Sequence, residues 1–295
     1  MRRPGPGALT SQARIAACAQ AGRTGFTTLI TECWGQPPLL PRITTHGVHF
    51  VGGAAGPLGG DRLESKVDIG AHARLRISSV AATFVRPAAK PAPSLSSVVA
   101  RIGSAGRLWW MPQPMVVLAG AQHRSEVAIE VAATGELFWL ETAVLGRHGE
   151  PGGLLVSRRS LDIAGQAVSR QELRLGVTAN GMSGPAVTGG ARAVASFLVV
   201  HPEWERISTS SLTWSLSSSS AGGAPSASES PRAGGRAAPR AGILPLASKR
   251  AVEILGLGQS VHEIHRAWEL LASQIEAEAP CTSRALRSCA TTPLG

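Results

Sequence analysis

The chain has 295 residues and 43% of them are hydrophobic, so it can bury a sizeable core and wholesale disorder is excluded. Its 34 Gly and 20 Pro, with only 4% aromatic residues, disfavour a mostly helical protein and favour short elements joined by turns. The formal net charge is +10, but residues 26–205 hold sixteen basic against thirteen acidic residues, so the excess lies in the flanking segments. A nucleic-acid binder concentrates basic residues on a folded surface, so an Arg-rich nucleic-acid-binding module is an alternative rather than the leading hypothesis.

Cysteine spacing and apolar run length disfavour two further protein classes. The four Cys form no C-x-x-C pair, which argues against a zinc ribbon and against a disulfide framework. Gln12 and Arg14 interrupt any apolar stretch after the N-terminal arginines, so no signal peptide is predicted. No run approaches the roughly 18 apolar residues that a membrane helix needs, so we expect a cytoplasmic protein without a membrane partner.

In chain order, residues 1–25 come first, and their small, basic and aperiodic sequence predicts a flexible basic arm. Residues 26–205 predict one β domain of short strands, because apolar and polar residues alternate with a period of two over several stretches. A run over 137–145 is more apolar and predicts a buried strand. The other predicted strands cover 63–69, 74–85, 127–131 and 193–200, with a hairpin formed by 154–163 and 167–175 around Gly165 and Gln166.

The strand spacing of about 8–12 residues is typical of a β-sandwich or of a β-helical stack. We therefore expect a mainly β fold, a β-helical or stacked-sheet single domain with a C-terminal amphipathic helix. Residues 206–241 are predicted to be a Ser/Gly/Pro-rich linker or insert. A C-terminal segment over 242–277 is predicted to follow. It contains an amphipathic helix over about 260–277, which begins with a capping box at Ser260 and packs against the β domain by its Trp268 face. Residues 278–295 are predicted to form a tail.

A serine hydrolase is one alternative function. Ser183 lies in the glycine-rich sequence N-G-M-S-G-P and would be the nucleophile. His46 or His49 and Asp61 or Asp68 are its candidate partners. The other interpretation of the same segment is a turn that leads into the strand over 193–200, because the sequence is not G-x-S-x-G.

Two sets of side chains could bind a metal. His262, His265 and Glu269 are at positions i, i+3 and i+7 of the predicted helix, although a solvated polar face explains them as well. The second set lies near the Gly-rich segment 52–61 and contains Cys33, His46, His49 and His72. Thiol and imidazole groups suit a late first-row metal such as nickel. The alternative interpretation is that these are scattered surface or core side chains that bind no metal. The Gly-rich segment has no Lys-Ser/Thr of a phosphate loop, so its glycines are interpreted as turn and packing residues.

Several motifs in fixed order resemble the urease accessory protein UreD (also called UreH) family, in its actinobacterial form. They are G-G-D-R-L at 59–63, S-S-V-A-A at 78–82, W-M-P-Q-P at 110–114, F-W-L-E at 138–141 with L-G-R at 145–147, and the segment 184–193. The chain departs from the family pattern at 83–87, where T-F-V-R-P stands in place of K-x-Y-R-S, and at Pro114, which replaces a Glu.

The resemblance implies a non-enzymatic urease maturation factor, a metallochaperone or scaffold. Such a protein binds urease apoprotein and the accessory proteins UreF and UreG, the latter a GTPase, and supports nickel insertion into the urease active site. It holds no cofactor tightly, and nickel passes through in transit. A bare divalent ion is costly to desolvate, so a transfer path needs weak oxygen or imidazole stations rather than a tight cage.

Glu141 is the leading candidate for such a nickel station, because it is one carboxylate in the apolar run 137–145 and must be buried or partnered. The alternative is a structural salt bridge to Arg147 or Arg124. Asp61 with Arg62 either fixes the Gly-rich turn or lines the path. The remaining candidate stations are His46, His49 and His72.

Overall fold

The computed structural model describes residues 8–262 except 24, 90, 177–178, 180, 182, 185–186, 203 and 205–239, and in addition 264 and 287–288. Within these residues the regular secondary structure consists almost entirely of strands. In chain order the strands are β1 (Thr10–Gly22), β2 (Gly25–Gly35), β3 (Leu39–Thr44), β4 (Gly47–Gly52), β5 (Arg62–Ile69), β6 (Arg74–Ser79), β7 (Thr83–Val85), β8 (Ser94–Ile102), β9 (Arg107–Met111), β10 (Met115–Val117), β11 (Gln122–Val131), β12 (Glu136–Leu145), β13 (Leu154–Ile163), β14 (Gln166–Leu175), β15 (Ala193–Val200), β16 (Arg240–Pro245), β17 (Ala251–Gly258) and β18 (Arg287–Ser288).

The strands form two stacked sheets, between which the chain passes back and forth. Sheet A has the order β14-β13-β11-β8-β5-β1-β2-β18, and sheet B has the order β16-β17-β15-β12-β9-β6-β4-β3. In sheet A, parallel pairs join β5 to β8, β8 to β11 and β11 to β13, so each strand lies beside the strand of the next coil. In sheet B, parallel pairs join β6 to β9 and β9 to β12 in the same way. Partners in adjacent coils are 29 to 33 residues apart, as the pairs Ser94–His123 and Arg62–Leu95 show. The predicted mainly β, β-helical fold is confirmed.

Antiparallel pairs stand at both ends of this parallel stack. Sheet A has β1 against β2 at one end and β13 against β14 at the other. Sheet B has β3 against β4 at one end, and β15, β17 and β16 in successive antiparallel pairs at the other. The parallel coils are therefore enclosed between hairpins.

The predicted flexible arm over 1–25 is corrected by the position of β1. This strand lies between β2 and β5 and pairs with β5 in parallel from Thr10–Arg62 to Ala17–Ile69. Ile15 is fully buried in the interior between the sheets. Small side chains such as Ala13 and Ala17 fill the other inward positions, so the alternation of burial is present although the residues are not strongly apolar.

Most predicted strands of the β domain have counterparts in the structure. The strands over 63–69, 137–145 and 193–200, and the hairpin of β13 and β14, are found with bounds that differ by a few residues at most. The stretch 74–85 is not one strand: it divides into β6, which pairs with β4 and β9, and β7, which pairs with β10 in a side branch of sheet B that joins at β12.

The C-terminal predictions fall largely outside the described residues. Residues 206–239 of the predicted linker lie outside the described residues. Its last two residues, Arg240 and Ala241, belong to strand β16 and not to a linker. Strands β16 and β17 occupy much of 242–277. Helical residues begin at Val261, but Trp268 and the rest of the predicted helix lie outside the described part, as does the tail except for β18.

The core has apolar clusters on both sides of sheet B. One cluster fills the space between the sheets and contains the stacked rings of Trp110 and Trp139, whose centroids are 4.7 Å apart. A smaller interior cluster includes Val85, Val117 and Leu175. The outer face of sheet B carries another cluster, with Trp109, Phe138, Phe197, Trp204 and Ile264 among its members. No helix within the described residues has the length and apolar character needed to cross a bilayer.

Candidate functional site: a cavity between the sheets

A cavity of about 220 Å³ lies between the two sheets and touches both interior clusters. Its lining extends from Leu39 on β3, an edge strand of sheet B, to Leu255 on β17, near the opposite edge. The cavity therefore follows the direction in which the coils are stacked. Its polar lining side chains include Ser65, Ser96, Ser125, Ser157, His123, Arg159 and Gln171 from sheet A, and Glu141 and Ser196 from sheet B.

Small residues in register create this space. Ser96, Ser125 and Ser157 are Cα partners on β8, β11 and β13, so three short side chains stand side by side. Further along the same strands, the inward positions hold large apolar residues such as Ile129 and Leu161, which pack the interior completely. The change from large apolar to small polar side chains leaves the interior hollow at the level of these serines.

His123 stands at the polar level and is almost completely buried. Its Nδ1 is 2.8 Å from Ser94 Oγ and its Nε2 is 2.9 Å from Ser96 Oγ. Burial lowers the pKa of the imidazole from 6.5 to about 4. The ring is therefore neutral near pH 7, which is the form that can act as a metal ligand.

Arg159 is the centre of a buried polar network that joins the two sheets. The side chain is 3% exposed, and Nη1 donates to Ser196 Oγ over 2.8 Å while Nη2 donates to Gln171 Oε1 over 2.9 Å. The same Nη2 forms a short ion pair with Glu253, which is 1% exposed. Ser196 in turn donates to Glu253 Oε1 over 2.7 Å. Charged groups this deeply buried are tolerated because each has a partner.

Glu141 belongs to the same network. Its Oε2 is 3.5 Å from Arg159 Nη1, and 27% of its side chain is exposed. Burial raises the pKa of this carboxyl, an effect that the charge of Arg159 opposes. The sequence-based alternative of a salt bridge to Arg147 or Arg124 named the wrong partners, since the ion pair is formed with Arg159.

Asp61 lies away from the cavity lining and holds two backbone segments together. Its Oδ1 accepts from the N–H of Leu9 and its Oδ2 from the N–H of Leu58, each over 2.8 Å. The glycines beside it allow close approach: a Cβ on Gly59 would lie 2.5 Å from the Ala92 carbonyl oxygen. The contacts of Asp61 agree with the turn-fixing interpretation of the sequence.

The three predicted histidine stations are not gathered around the cavity. His46 is exposed in the turn between β3 and β4, and His72 is exposed at the end of β5, where its ring stacks on Phe26. His49 is bonded to Ser78 Oγ at 2.8 Å, and it alternates with the interior residues Val48 and Phe50, so it faces away from the sheet interior. Within the described part of the chain no group of three or more His, Cys, Asp or Glu could hold a metal ion.

The remaining candidates do not form a site in the described residues. Ser183 is exposed, and no hydrogen bond among the described residues joins it to the predicted histidines or aspartates. Asp68 instead pairs with Arg14 at 2.6 Å. His262 is exposed, and its predicted partners His265 and Glu269 lie outside the described residues. Cys33 is partly buried, and burial raises the pKa of its thiol.

The outer face of sheet A bears mixed rather than basic charge. Its arginines pair with acids, as Arg101 does with Glu130 at 3.0 Å and Arg170 with Asp162 at 2.7 Å. Such paired charges do not form the continuous basic surface that binds a phosphate backbone. This face therefore offers no support for a nucleic-acid-binding module.

Comparison with known proteins decides the family. The family model described as UreD urease accessory protein matches residues 14–285. The chain belongs to the UreD family. The resemblance inferred from the sequence motifs is thereby confirmed, including its actinobacterial character.

Individual relatives agree with this assignment. A urease accessory protein UreD from Frankia alni is 43% identical over 57% of this chain and 61% of its own length. Those from a Parafrankia species and from Streptomyces avermitilis are 41% and 37% identical, over 60% and 63% of this chain and 68% and 75% of their own lengths. The chain thus spans less than two thirds of the Frankia alni UreD.

Three residues of the cavity lining and its buried network were missed by sequence reasoning although their signal was present. Glu253 is a single carboxylate in the apolar run of β17, the same signal that singled out Glu141. His123 and Arg159 share the parity of Val127 and Leu161 on their strands, so a period-two pattern places them inside. Extending each alternation toward the start of its strand would have identified both.

Proposed function

We propose that this UreD-family chain is a urease maturation factor and that Ni²⁺ in transit crosses its interior through the cavity between the sheets. The observation that carries the proposal is Glu141, a partly exposed carboxylate in a largely apolar cavity whose other polar lining groups include serine hydroxyls, the neutral imidazole of His123 and the guanidinium of Arg159. Oxygen and imidazole groups are ligands that Ni²⁺ accepts. The chain is an assembly factor rather than a catalyst.

The composition of the cavity suits passage better than storage. A tight site would need several converging ligands that are free to bind, whereas here Glu141 is paired with Arg159 and the imidazole of His123 is hydrogen-bonded to Ser94 and Ser96. Each group lowers the cost of removing water from the ion, but none holds the ion alone. Glu141 is the first station of the proposed path, and His123 adds a second ligand on the opposite sheet.

The partners are proposed from the family. We infer that the chain binds urease apoprotein and the accessory proteins UreF and UreG in the cytoplasm, and that the metal passes from the GTPase UreG to urease within that assembly. Asp61, His46, His49 and His72 remain proposed as minor stations; the contacts of Asp61 favour a structural role.

The test is the nickel content of urease matured in cells that carry Glu141→Ala in place of the wild-type chain. We expect a stable chain that still co-purifies with UreF and urease, together with a loss of nickel loading and of urease activity. Glu130→Ala is the matched control, because Glu130 is exposed on the outer face of sheet A and pairs with Arg101 there. Wild-type urease activity with Glu141→Ala would reject the path.

A further inference from the structure

Two acids share one guanidinium at the wall of the cavity, where Glu141 and Arg159 belong to the lining and Glu253 is buried behind them. Glu253 on β17 pairs with Arg159 on β13, and Glu141 on β12 lies 3.5 Å from the same guanidinium. The network has more carboxylates than cations: among the described residues that contact Arg159, Glu141 and Glu253 are the charged ones.

The guanidinium stands where a metal cation would be bound. A divalent ion at the same position would have the oxygens of Glu141, Glu253 and Ser196 within reach, which are the hard ligands that such ions take. Arg cannot give up its proton, so the position is occupied by a permanent positive charge. A metal ion can bind there only if the guanidinium moves away.

The hold on Arg159 is incomplete. Its Nε is buried and has no hydrogen-bond partner among the described residues, so the side chain is fixed through its two Nη atoms alone. An unmade hydrogen bond of a buried charged group is costly. The resting arrangement is therefore less stable than a fully satisfied ion pair, which lowers the cost of displacing the guanidinium.

We propose that Arg159 is an internal counter-cation that occupies the site between Glu141 and Glu253, and that Ni²⁺ crosses the cavity by displacing it. This inference rests on the proposed function, since the metal in question is the one delivered to urease. Arg159 keeps the site weak: returning to its partners, it releases the ion again. Without this competitor the same two carboxylates would trap the metal.

The test is Ni²⁺ binding to the purified full chain, measured by calorimetry or equilibrium dialysis, for Arg159→Met and Arg159→Lys. Arg159→Met removes the charge, and we expect Ni²⁺ to bind at least about tenfold more tightly, because repulsion between two nearby cations in the interior is lost. Arg159→Met also leaves Glu253 buried without a cation, which costs stability. Arg159→Lys avoids this cost; its single nitrogen cannot hold all the partners of the guanidinium, and we expect a smaller gain of the same sign.

Arg107 provides the matched control. Its ion pair with Glu136 is also buried, but it lies on the side of sheet B that carries Trp109, away from the cavity. Arg107→Lys should leave the Ni²⁺ affinity unchanged. An affinity of Arg159→Lys equal to or below that of the wild type overturns the displacement proposal, whether or not Arg159→Met folds.

Urease maturation by the same variants separates the two proposals. Tighter Ni²⁺ binding together with lower nickel content of urease supports both. If the Arg159 variants bind Ni²⁺ more tightly but urease receives its normal nickel content, Arg159 does compete with Ni²⁺ at this site, and the delivery of nickel through the cavity is rejected. Unchanged binding by the Arg159 variants, with urease still impaired by Glu141→Ala, rejects the displacement alone.

Discussion

His123 and Ser94 are neighbours on adjacent coils of the stack, with Nδ1 and Oγ 2.8 Å apart in a fully buried contact. The second ring nitrogen faces another hydroxyl, that of Ser96. Both hydroxyls can bond to a neutral ring, and neither brings a negative charge that would stabilise an imidazolium ion. Protonation of His123 therefore lowers the free energy of unfolding of the chain.

The first prediction is a loss of stability in mild acid that His123 causes. The pKa of the ring is about 4 in the folded chain and about 6.5 when unfolded, so the unfolded state binds the proton more readily. The stability contributed by the neutral ring is present above pH 6.5 and disappears as the pH falls to about 4, a change of about 3 kcal/mol. Urea denaturation between pH 4 and 8 measures it.

His123→Gln should flatten this pH dependence, since the amide does not titrate. His46→Gln, at an exposed turn position, is the control and should leave the profile as in the wild type. A profile for His123→Gln that falls as steeply as that of the wild type would show that another group is responsible.

The second prediction concerns Glu141 and has the opposite sign. Burial raises the pKa of its carboxyl above the unfolded value of 4.5, so the stability that this group contributes is greatest below pH 4.5 and declines as the pH rises through the raised pKa. Glu141→Gln should therefore be at least as stable as the wild type at pH 8, with the difference shrinking toward pH 5. Chemical denaturation at the two pH values tests this.

Glu150 offers the contrasting control. Backbone N–H groups of Arg147 and Ala119 donate to its carboxylate and lower its pKa. Its contribution is present above pH 4.5 and is lost as the pH falls through the lowered pKa. Glu150→Gln should thus be less stable than the wild type at pH 8. If Glu141→Gln and Glu150→Gln changed the free energy of unfolding equally at that pH, the opposite pKa shifts of the two carboxyls would be contradicted.

The third prediction tests whether β1 is an integral strand. Ile15→Ala should cost about 2–5 kcal/mol of unfolding free energy, because the side chain is fully buried between the sheets. Gln20→Ala, on an exposed position of the same strand, should change it by less than about 0.5 kcal/mol. Equal stabilities would restore the view that these residues form a loose arm.

The fourth prediction separates structure from transport at Asp61. Asp61→Ala removes the acceptor of two backbone N–H groups, so we expect a loss of about 1–3 kcal/mol in urea denaturation. Because Asp61 is at most a minor station, a folded Asp61→Ala should keep most of the nickel loading of urease. A stable variant that fails to load nickel would instead make Asp61 part of the path.

How far the sequence could predict the structure depends on the strength of each pattern. Strand β5 alternates large apolar and charged residues and is predicted almost to the residue. Strand β1 was missed because its inward positions hold alanines beside Ile15, and alanine carries little hydrophobic contrast. The order of the coils, which brings β1 next to β5, comes from pairing between distant residues and cannot be read from local periodicity.

The same limit applies to the cavity. Glu141 could be identified from its own strand, because a lone carboxylate among apolar residues is conspicuous. Its partner could not, since Arg159 lies on the other sheet and meets Glu141 only through the stacking of the two sheets. The predicted partners, Arg147 and Arg124, were chosen for nearness in sequence, which carries little weight in a fold built from long-range pairs.

The hairpins that bound the parallel coils give the molecule a fixed depth. Each coil contributes one strand spacing of about 4.8 Å, so the distance spanned by the interior can change only in whole steps of that size. Gaining or losing residues in a loop leaves this distance alone, whereas duplicating a coil would lengthen it by one step. If the stack bridges two partners, the distance between them is therefore set by the number of coils and can change only by whole strand spacings.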